Sequence, residues 1–268
     1  MISLSYSSFL EVLENAIDIL KDRYDPIVEI ESSKIWIIGD LHGDLMTFRK
    51  IRNIIEKEYS KDDIIIFLGD YGDRGYYQVE LYYELLSYFL KNSENIILIR
   101  GNHEFIEGLE VYPHDLPFHI LRKFGYDKGK IVYQKIRELW EYLPFCCLVP
   151  NEFICMHGGP IVDSICIESY KNPNYHQKEQ ILWNDPYEGL GYAPNPRGAG
   201  YLWGRDITEN NLNTLNIKYI IRGHEKCDGI KYNHNRRVIT VFSTKVYGNS
   251  AGFLKYCLKE NKINFIPV

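Results

Sequence analysis

Residues 35–43, Ile35-Trp36-Ile37-Ile38-Gly39-Asp40-Leu41-His42-Gly43, decide how this chain is read. A continuous apolar run stops at a glycine, and a carboxylate and an imidazole follow at once. A short run that is apolar throughout marks a strand buried on both faces, as in a parallel sheet. The pattern returns twice. Ile64-Ile65-Ile66-Phe67-Leu68 leads into Gly69-Asp70-Tyr71-Gly72-Asp73-Arg74-Gly75, and Ile96-Ile97-Leu98-Ile99 leads into Gly101-Asn102-His103-Glu104. Between the runs, residues 44–58 (Leu45, Phe48, Ile51, Ile54, Ile55) and 78–91 (Val79, Tyr82, Leu86, Phe89) have helical spacing. The order β-α-β-α-β with right-handed crossovers and a parallel sheet follows. Each polar segment then lies at the carboxyl end of a strand, where open α/β sheets bind ligands.

Upstream, Ser8-x-x-Glu11 reads as a capping box, and Phe9, Leu13, Ile17 and Leu20 predict a helix over 8–22, with Pro26 beyond its end. Downstream, 104–142 reads as helical and irregular, with one clear helix marked by Ile136, Leu139, Trp140 and Leu143. Phe145–Val149 and Phe153–Met156 read as a strand pair around Pro150-Asn151. Residues 184–204, rich in Pro, Gly and Asn, read as a long loop, a length that points to function or mobility. Ile217–Ile221 is another strand. Val238–Phe242, Gly252–Cys257 and Ile263–Ile266 close the chain as antiparallel strands. No repeat, low-complexity tract or linker is present. The expectation is one α/β domain over 1–268, with an N-terminal helical segment (1–30) and a core (31–268).

The bulk numbers bound the function. A chain of 268 residues can bury a large core. A net charge of −5 implies no broad basic surface, so nucleic acid is not the expected partner. Met1–Tyr6 shows no signal-peptide pattern, and no apolar run reaches the length of a membrane span. The six cysteines include no C-x-x-C pair, and they read as free, mostly buried thiols in a reducing cytoplasm. The 22 tyrosines read as packing and surface amphipathic residues.

Asp40 and His42 stand two apart, so in an extended stretch both point the same way and can ligate one ion. Asp70 ends the next strand, and a carboxylate has two oxygens with which to bridge two ions. Asn102 offers a neutral carbonyl oxygen. His157 (in Met156-His157-Gly158-Gly159) and His224 (in Arg222-Gly223-His224) each follow an apolar strand and can complete a second ion. Singly, each is an ordinary turn or polar residue. Together they make five strand-end segments with six candidate ligands. Hard carboxylate oxygens with imidazole nitrogens suit divalent metals, and more than one of them.

The segments resemble the signature of the calcineurin-like metallophosphoesterases, and more closely that of serine/threonine protein phosphatases of the phosphoprotein phosphatase type. That branch reads Gly-Asp-x-His-Gly, Gly-Asp-Tyr-x-Asp-Arg-Gly and Arg-Gly-Asn-His-Glu, which stand here at 39–43, 69–75 and 100–104. Leu182-Trp183-Asn184-Asp185-Pro186, Arg197-Gly198 and Arg222-Gly223-His224 extend the likeness to about 34–257. The resemblance implies a metallophosphoesterase-type sandwich of mixed β-sheets flanked by helices. It implies two divalent metal ions, Mn²⁺ first and Fe or Zn as alternatives. One ion takes Asp40, His42 and Asp70; the other takes Asp70, Asn102, His157 and His224. Water activated by the two ions attacks phosphorus directly, and no phosphoenzyme forms. His103 resembles the general acid that protonates the leaving group, and Asp73 the carboxylate that orients it. Arg74, Arg197, Asn102 and Tyr247 are the implied substrate contacts.

The chain departs from the family at Ser243-Thr244-Lys245-Val246-Tyr247-Gly248, where Ser-Ala-Pro-Asn-Tyr-Cys is usual. The cysteine is absent, so thiol-dependent inhibitor capture is expected to fail, and Lys245 adds a charge near the mouth. Phe105–Pro117 does not follow the eukaryotic pattern either. The chain reads as a compact prokaryotic-type enzyme without a regulatory tail, so regulatory subunits are not assumed. Phosphoserine and phosphothreonine in proteins are the expected substrates, and the alternative is a small phosphate compound such as diadenosine tetraphosphate. A catalytically dead scaffold would lack a ligand, and all six are present.

Overall fold

The computed structural model describes residues 4–268; Met1–Ser3, part of the N-terminal stretch read above, lie outside the described residues. The chain opens with α1 (Tyr6–Asp22), β1 (Ile27–Glu29), β2 (Lys34–Ile38), α2 (Leu45–Glu58), β3 (Ile64–Phe67), α3 (Gln78–Lys91) and β4 (Ile96–Leu98). Then come α4 (Leu116–Phe124), α5 (Tyr126–Trp140), β5 (Cys146–Val149), β6 (Phe153–Met156), α6 (Ile167–Lys171) and α7 (Tyr175–Trp183). Three short strands follow: β7 (Asp185–Pro186), β8 (Tyr192–Pro194) and β9 (Tyr201–Trp203). The remainder is α8 (Arg205–Leu215), β10 (Tyr219–Arg222), β11 (Ile230–Asn233), β12 (Val238–Val241), β13 (Gly252–Cys257) and β14 (Lys262–Pro267).

Two mixed sheets lie face to face, ordered β14-β13-β2-β3-β4 and β1-β5-β6-β10-β12-β11. Alternation along the strands builds the layers. Ile35, Ile37 and Ile66 of one sheet meet Cys147, Phe153, Cys155 and Ile221 of the other in a core between the sheets. Trp36, Ile38, Ile65 and Phe67 point the other way, against Phe9, Leu13, Phe48 and Leu85 of the helices. On the far side, Ile154, Met156 and Ile220 meet Ile181, Leu182 and Leu212. The apolar runs are continuous because each strand is covered on both faces. β2 with β3, β3 with β4, β6 with β10 and β10 with β12 all pair in parallel, which gathers their carboxyl ends along one edge.

Four details differ from the sequence reading. The helix cap is Ser5, not Ser8: Ser5 Oγ accepts the Ser8 amide at 3.1 Å, and Ser8 lies inside the first turn. Residues 27–29, inside the segment read as helical, form a strand paired with β5. The 184–204 stretch is not a bare loop but folds into a third sheet, β7-β9-β8. The closing strands are not all antiparallel: β12 runs parallel to β10, because β11 supplies the reversal between them. β11 is half exposed and polar (Ile-Lys-Tyr-Asn), so its sequence carries no strand signal.

All six cysteines are free; Cys146, Cys147 and Cys155 are buried, Cys166 is exposed, and Cys227 and Cys257 are in between. Among the described residues, no helix is long and apolar enough to cross a membrane.

Candidate active site

The edge formed by the carboxyl ends of β2, β3, β4, β6 and β10 carries Asp40, His42, Asp70, Asp73, Asn102, His103, His157 and His224, all buried. Glycines let the loops approach. Gly69 has φ +101°, and a Cβ there would lie 2.4 Å from the Gly101 amide nitrogen. The β3 and β4 loops therefore touch backbone to backbone, which only glycine allows. The loop after β2 is not extended as its spacing predicts: His42 has φ 43°. The left-handed turn still brings its ring to Asp40, with Nε2 3.8 Å from Oδ2.

Asp70 stands at the centre. Its Oδ2 faces Nε2 of His42 at 3.4 Å, and its Oδ1 faces Nε2 of His157 at 3.3 Å. The Asn102 amide reaches His157 Nε2 at 2.9 Å and His224 Nδ1 at 3.1 Å. Two groups of possible ligands thus share Asp70: His42 with His103, and His157 with His224.

The ring nitrogens are set for this. His42 Nδ1 lies 3.0 Å from the Gly72 carbonyl and His157 Nδ1 2.8 Å from the Leu68 carbonyl. A carbonyl accepts only, so both Nδ1 atoms donate and Nε2 is the atom turned to the cluster. Among the described residues, Asp40 Oδ2 is buried with no hydrogen-bond partner, while its Oδ1 accepts the His224 amide. Such an orphaned carboxylate oxygen beside oriented imidazoles fits a divalent cation.

Charge is concentrated here. Burial would raise the Asp70 carboxyl, but the imidazoles of His157, His103 and His42 outweigh it and hold the group well below the usual range. Burial and the charge of Asp70 push Asp40 up to about 6. Burial would lower His157, yet Asp70 and its hydrogen bond push it up to about 9. Burial brings His42 down to about 4.

His103 stands differently from the other rings. Its Nδ1 is 2.6 Å from Asp73 Oδ2, and its Nε2 faces Asp70 at 3.9 Å. Arg74, beside Asp73, donates from Nη1 to the Pro113 carbonyl at 2.6 Å. The Tyr247 ring meets His42 edge-on at 5.7 Å, and the residue is 37% exposed. Burial pushes its hydroxyl up to about 12, with the Arg74 charge opposing. Lys245, two residues before Tyr247, is exposed, its amide anchored on Asp44 at 2.8 Å. Arg197 lies on the β8–β9 turn, and its Nε donates to Asp185 Oδ2 at 2.6 Å. That carboxylate also accepts Arg222 at 2.8 Å and lies 3.9 Å from His224 Nε2.

Several supporting residues went unassigned in the sequence reading. Glu104 accepts the amides of Asp70 (2.7 Å), Tyr71 (3.0 Å) and Gly101 (3.0 Å), tying two loops together. Burial and Asp70 push its carboxyl up to about 7. Asp185 and Arg222 were legible as parts of the quoted motifs. His114, whose Nδ1 lies 2.8 Å from Asp73, had no sequence signal, because the contact joins positions 41 residues apart.

The family model described as calcineurin-like phosphoesterase matches residues 33–228. Among solved structures, a protein serine/threonine phosphatase from Saccharomyces cerevisiae superposes with a TM-score of 0.83 at 23% identity, covering 98% of this chain and 90% of that one. A cold-active protein-tyrosine phosphatase of a psychrophilic Shewanella gives 0.56 at 16% identity, covering 89% and 81%. A candidate diadenosine tetraphosphatase gives 0.53 at 11% identity, covering 91% and 98%. These likenesses extend the shared fold across proteins that differ in the substrates their names carry.

Proposed function

Because the chain belongs to the calcineurin-like phosphoesterase family, we propose that it hydrolyses phosphoserine and phosphothreonine esters in proteins with the help of two divalent ions. The observation that carries this reading is Asp70, whose two oxygens face separate imidazoles at 3.4 and 3.3 Å. Asp40, His42 and Asp70 would hold one ion, and Asp70, Asn102, His157 and His224 the other. When bound, the ions supply Lewis acidity toward phosphoryl oxygens and activate water as the nucleophile.

The remaining work falls to the protein. His103 keeps its Nδ1 on Asp73 and presents Nε2 to the crevice, where it can hand a proton to the departing serine or threonine oxygen. The Asp73 charge favours the protonated ring. Arg74 and Arg197 offer guanidinium groups to the non-bridging oxygens, and Tyr247 lines the same mouth. Asn102 contributes beside the phosphate. Manganese is the first metal to supply; iron and zinc suit the same donor set. Six free thiols favour a reducing compartment such as the cytoplasm.

The test is hydrolysis by metal-reconstituted protein of phosphoserine, phosphothreonine and phosphotyrosine peptides and diadenosine tetraphosphate. Turnover of the first two supports the reading. Exclusive cleavage of the nucleotide would replace it with a small-molecule hydrolase.

A further inference from the structure

We propose that His114 is a positioning residue that holds the Asp73 carboxylate in line with His103. The consequence for catalysis rests on the hydrolase reading above. Asp73 is fully buried and receives four donors. Its Oδ2 accepts His103 Nδ1 at 2.6 Å and His114 Nδ1 at 2.8 Å. Its Oδ1 accepts the amides of Asp115 and Leu116, both at 2.9 Å. Three of the four donors therefore come from residues 114–116. Asp115 and the adjoining Pro113 hold the neighbouring Arg74: the Pro113 carbonyl accepts its guanidinium, and Asp115 Oδ1 accepts its amide at 3.0 Å.

A carboxylate accepts only, so both imidazoles present a protonated Nδ1 to the one oxygen. His114 is itself fixed. Its Nε2 lies 2.8 Å from the Tyr133 hydroxyl on α5, and its ring meets Phe105 and Trp140 edge-on at 5.2 and 6.1 Å. A chain runs from a rigid helix through Tyr133 and His114 to Asp73, and from there to His103. Removing His114 leaves Oδ1 clamped but frees Oδ2 to turn, so the His103 ring loses its aim while the groups around Asp70 keep theirs. A supporting bond of this kind is worth about 10–100-fold where the supported group acts.

The test compares metal-reconstituted wild type, His114→Ala and His114→Asn, whose amide can replace Nδ1–H. Substrates are a phosphoserine peptide and p-nitrophenyl phosphate, and imidazole ¹⁵N–¹H spectra accompany each variant. His114→Ala is expected to lower kcat on the peptide about tenfold with little change in KM, and to lower it less on the nitrophenyl ester, which needs less protonation. His114→Asn should restore most of the loss. The His103 Nδ1–H resonance should shift in the alanine variant and return in the asparagine variant. Equal losses on both substrates, an effect confined to KM, or alanine activity equal to wild type would overturn the proposal. If the wild type hydrolyses neither ester, the hydrolase reading has failed on its own. The spectra then decide the positioning role, which an unshifted His103 resonance in His114→Ala would refute.

Discussion

Nε2 of His157, after β6 of one sheet, lies 3.3 Å from Oδ1 of Asp70, after β3 of the other. The other oxygen of that carboxylate is turned toward His42. Asp70 thus belongs to both groups of possible ligands. On the two-ion reading proposed above, Asp70→Asn should weaken binding of both ions together and lower activity by more than about 100-fold, since a neutral amide would replace the carboxylate common to both groups. Calorimetric titration with Mn²⁺ checks this, and two undisturbed sites would contradict it.

His103 touches Asp73 through one nitrogen and faces the crevice with the other. His103→Ala should keep the metal stoichiometry and lose about 10²–10⁴-fold on alkyl phosphoesters, with a smaller loss on nitrophenyl esters. Steady-state kinetics on the two substrate types decides it; equal losses would exclude a role in protonating the leaving group.

Arg197 is aimed by Asp185, which also holds Arg222. If Arg197 binds the phosphoryl group as proposed, Arg197→Ala should lower kcat/KM by about 10-fold or more, through the loss of a charge-assisted bond. Arg197→Lys should recover little, because lysine has no Nε fork to keep the Asp185 contact. A kcat/KM within error of wild type for Arg197→Ala would remove Arg197 from the substrate site, and one for Arg197→Lys would show that the charge alone suffices.

Glu104 is buried beneath the site and accepts three backbone amides. Glu104→Ala should destabilise the fold by about 3 kcal/mol, since each buried donor left without a partner costs about 1–3 kcal/mol and entering water recovers part. Urea unfolding of the metal-free protein measures this separately from activity.

Asp63 supplies a pH test away from the metal ligands. Burial would raise its carboxyl, but bonds from Lys34 (2.8 Å), Trp36 (3.1 Å) and Ser60 (2.8 Å) hold it below the usual range. A depressed folded value means the stabilisation is present above the unfolded carboxyl value of about 3.9 and is lost as pH falls through the folded one. Asp63→Asn should therefore cost about 1–2 kcal/mol near neutrality, with the gap closing below about pH 4. Melting curves across that range check the sign; a pH-independent gap would refute it.

The front half of the fold was legible because its signals are local. Each apolar run and its terminal glycine report burial on both faces, and the predicted 78–91 helix coincides with α3. The less legible parts have local sequences at odds with their tertiary roles. β7, β8 and β9 lie in a stretch of turn-forming residues, and β11 is a polar edge strand. His42 shows the same limit in the site, since an extended-strand argument pairs it with Asp40 while the backbone there is left-handed.

By itself the sequence determined which carboxylates, amides and imidazoles stand at strand ends, because strand burial and glycine turns follow from neighbours in the chain. Only the tertiary structure decided which of them meet. Pairing β6 and β10 in parallel sets His157 and His224 beside Asn102 and Asp70, and packing α5 beneath residues 113–116 sets His114 on Asp73. Those contacts join distant positions through sheet register and side-chain packing, which no local pattern of residues encodes.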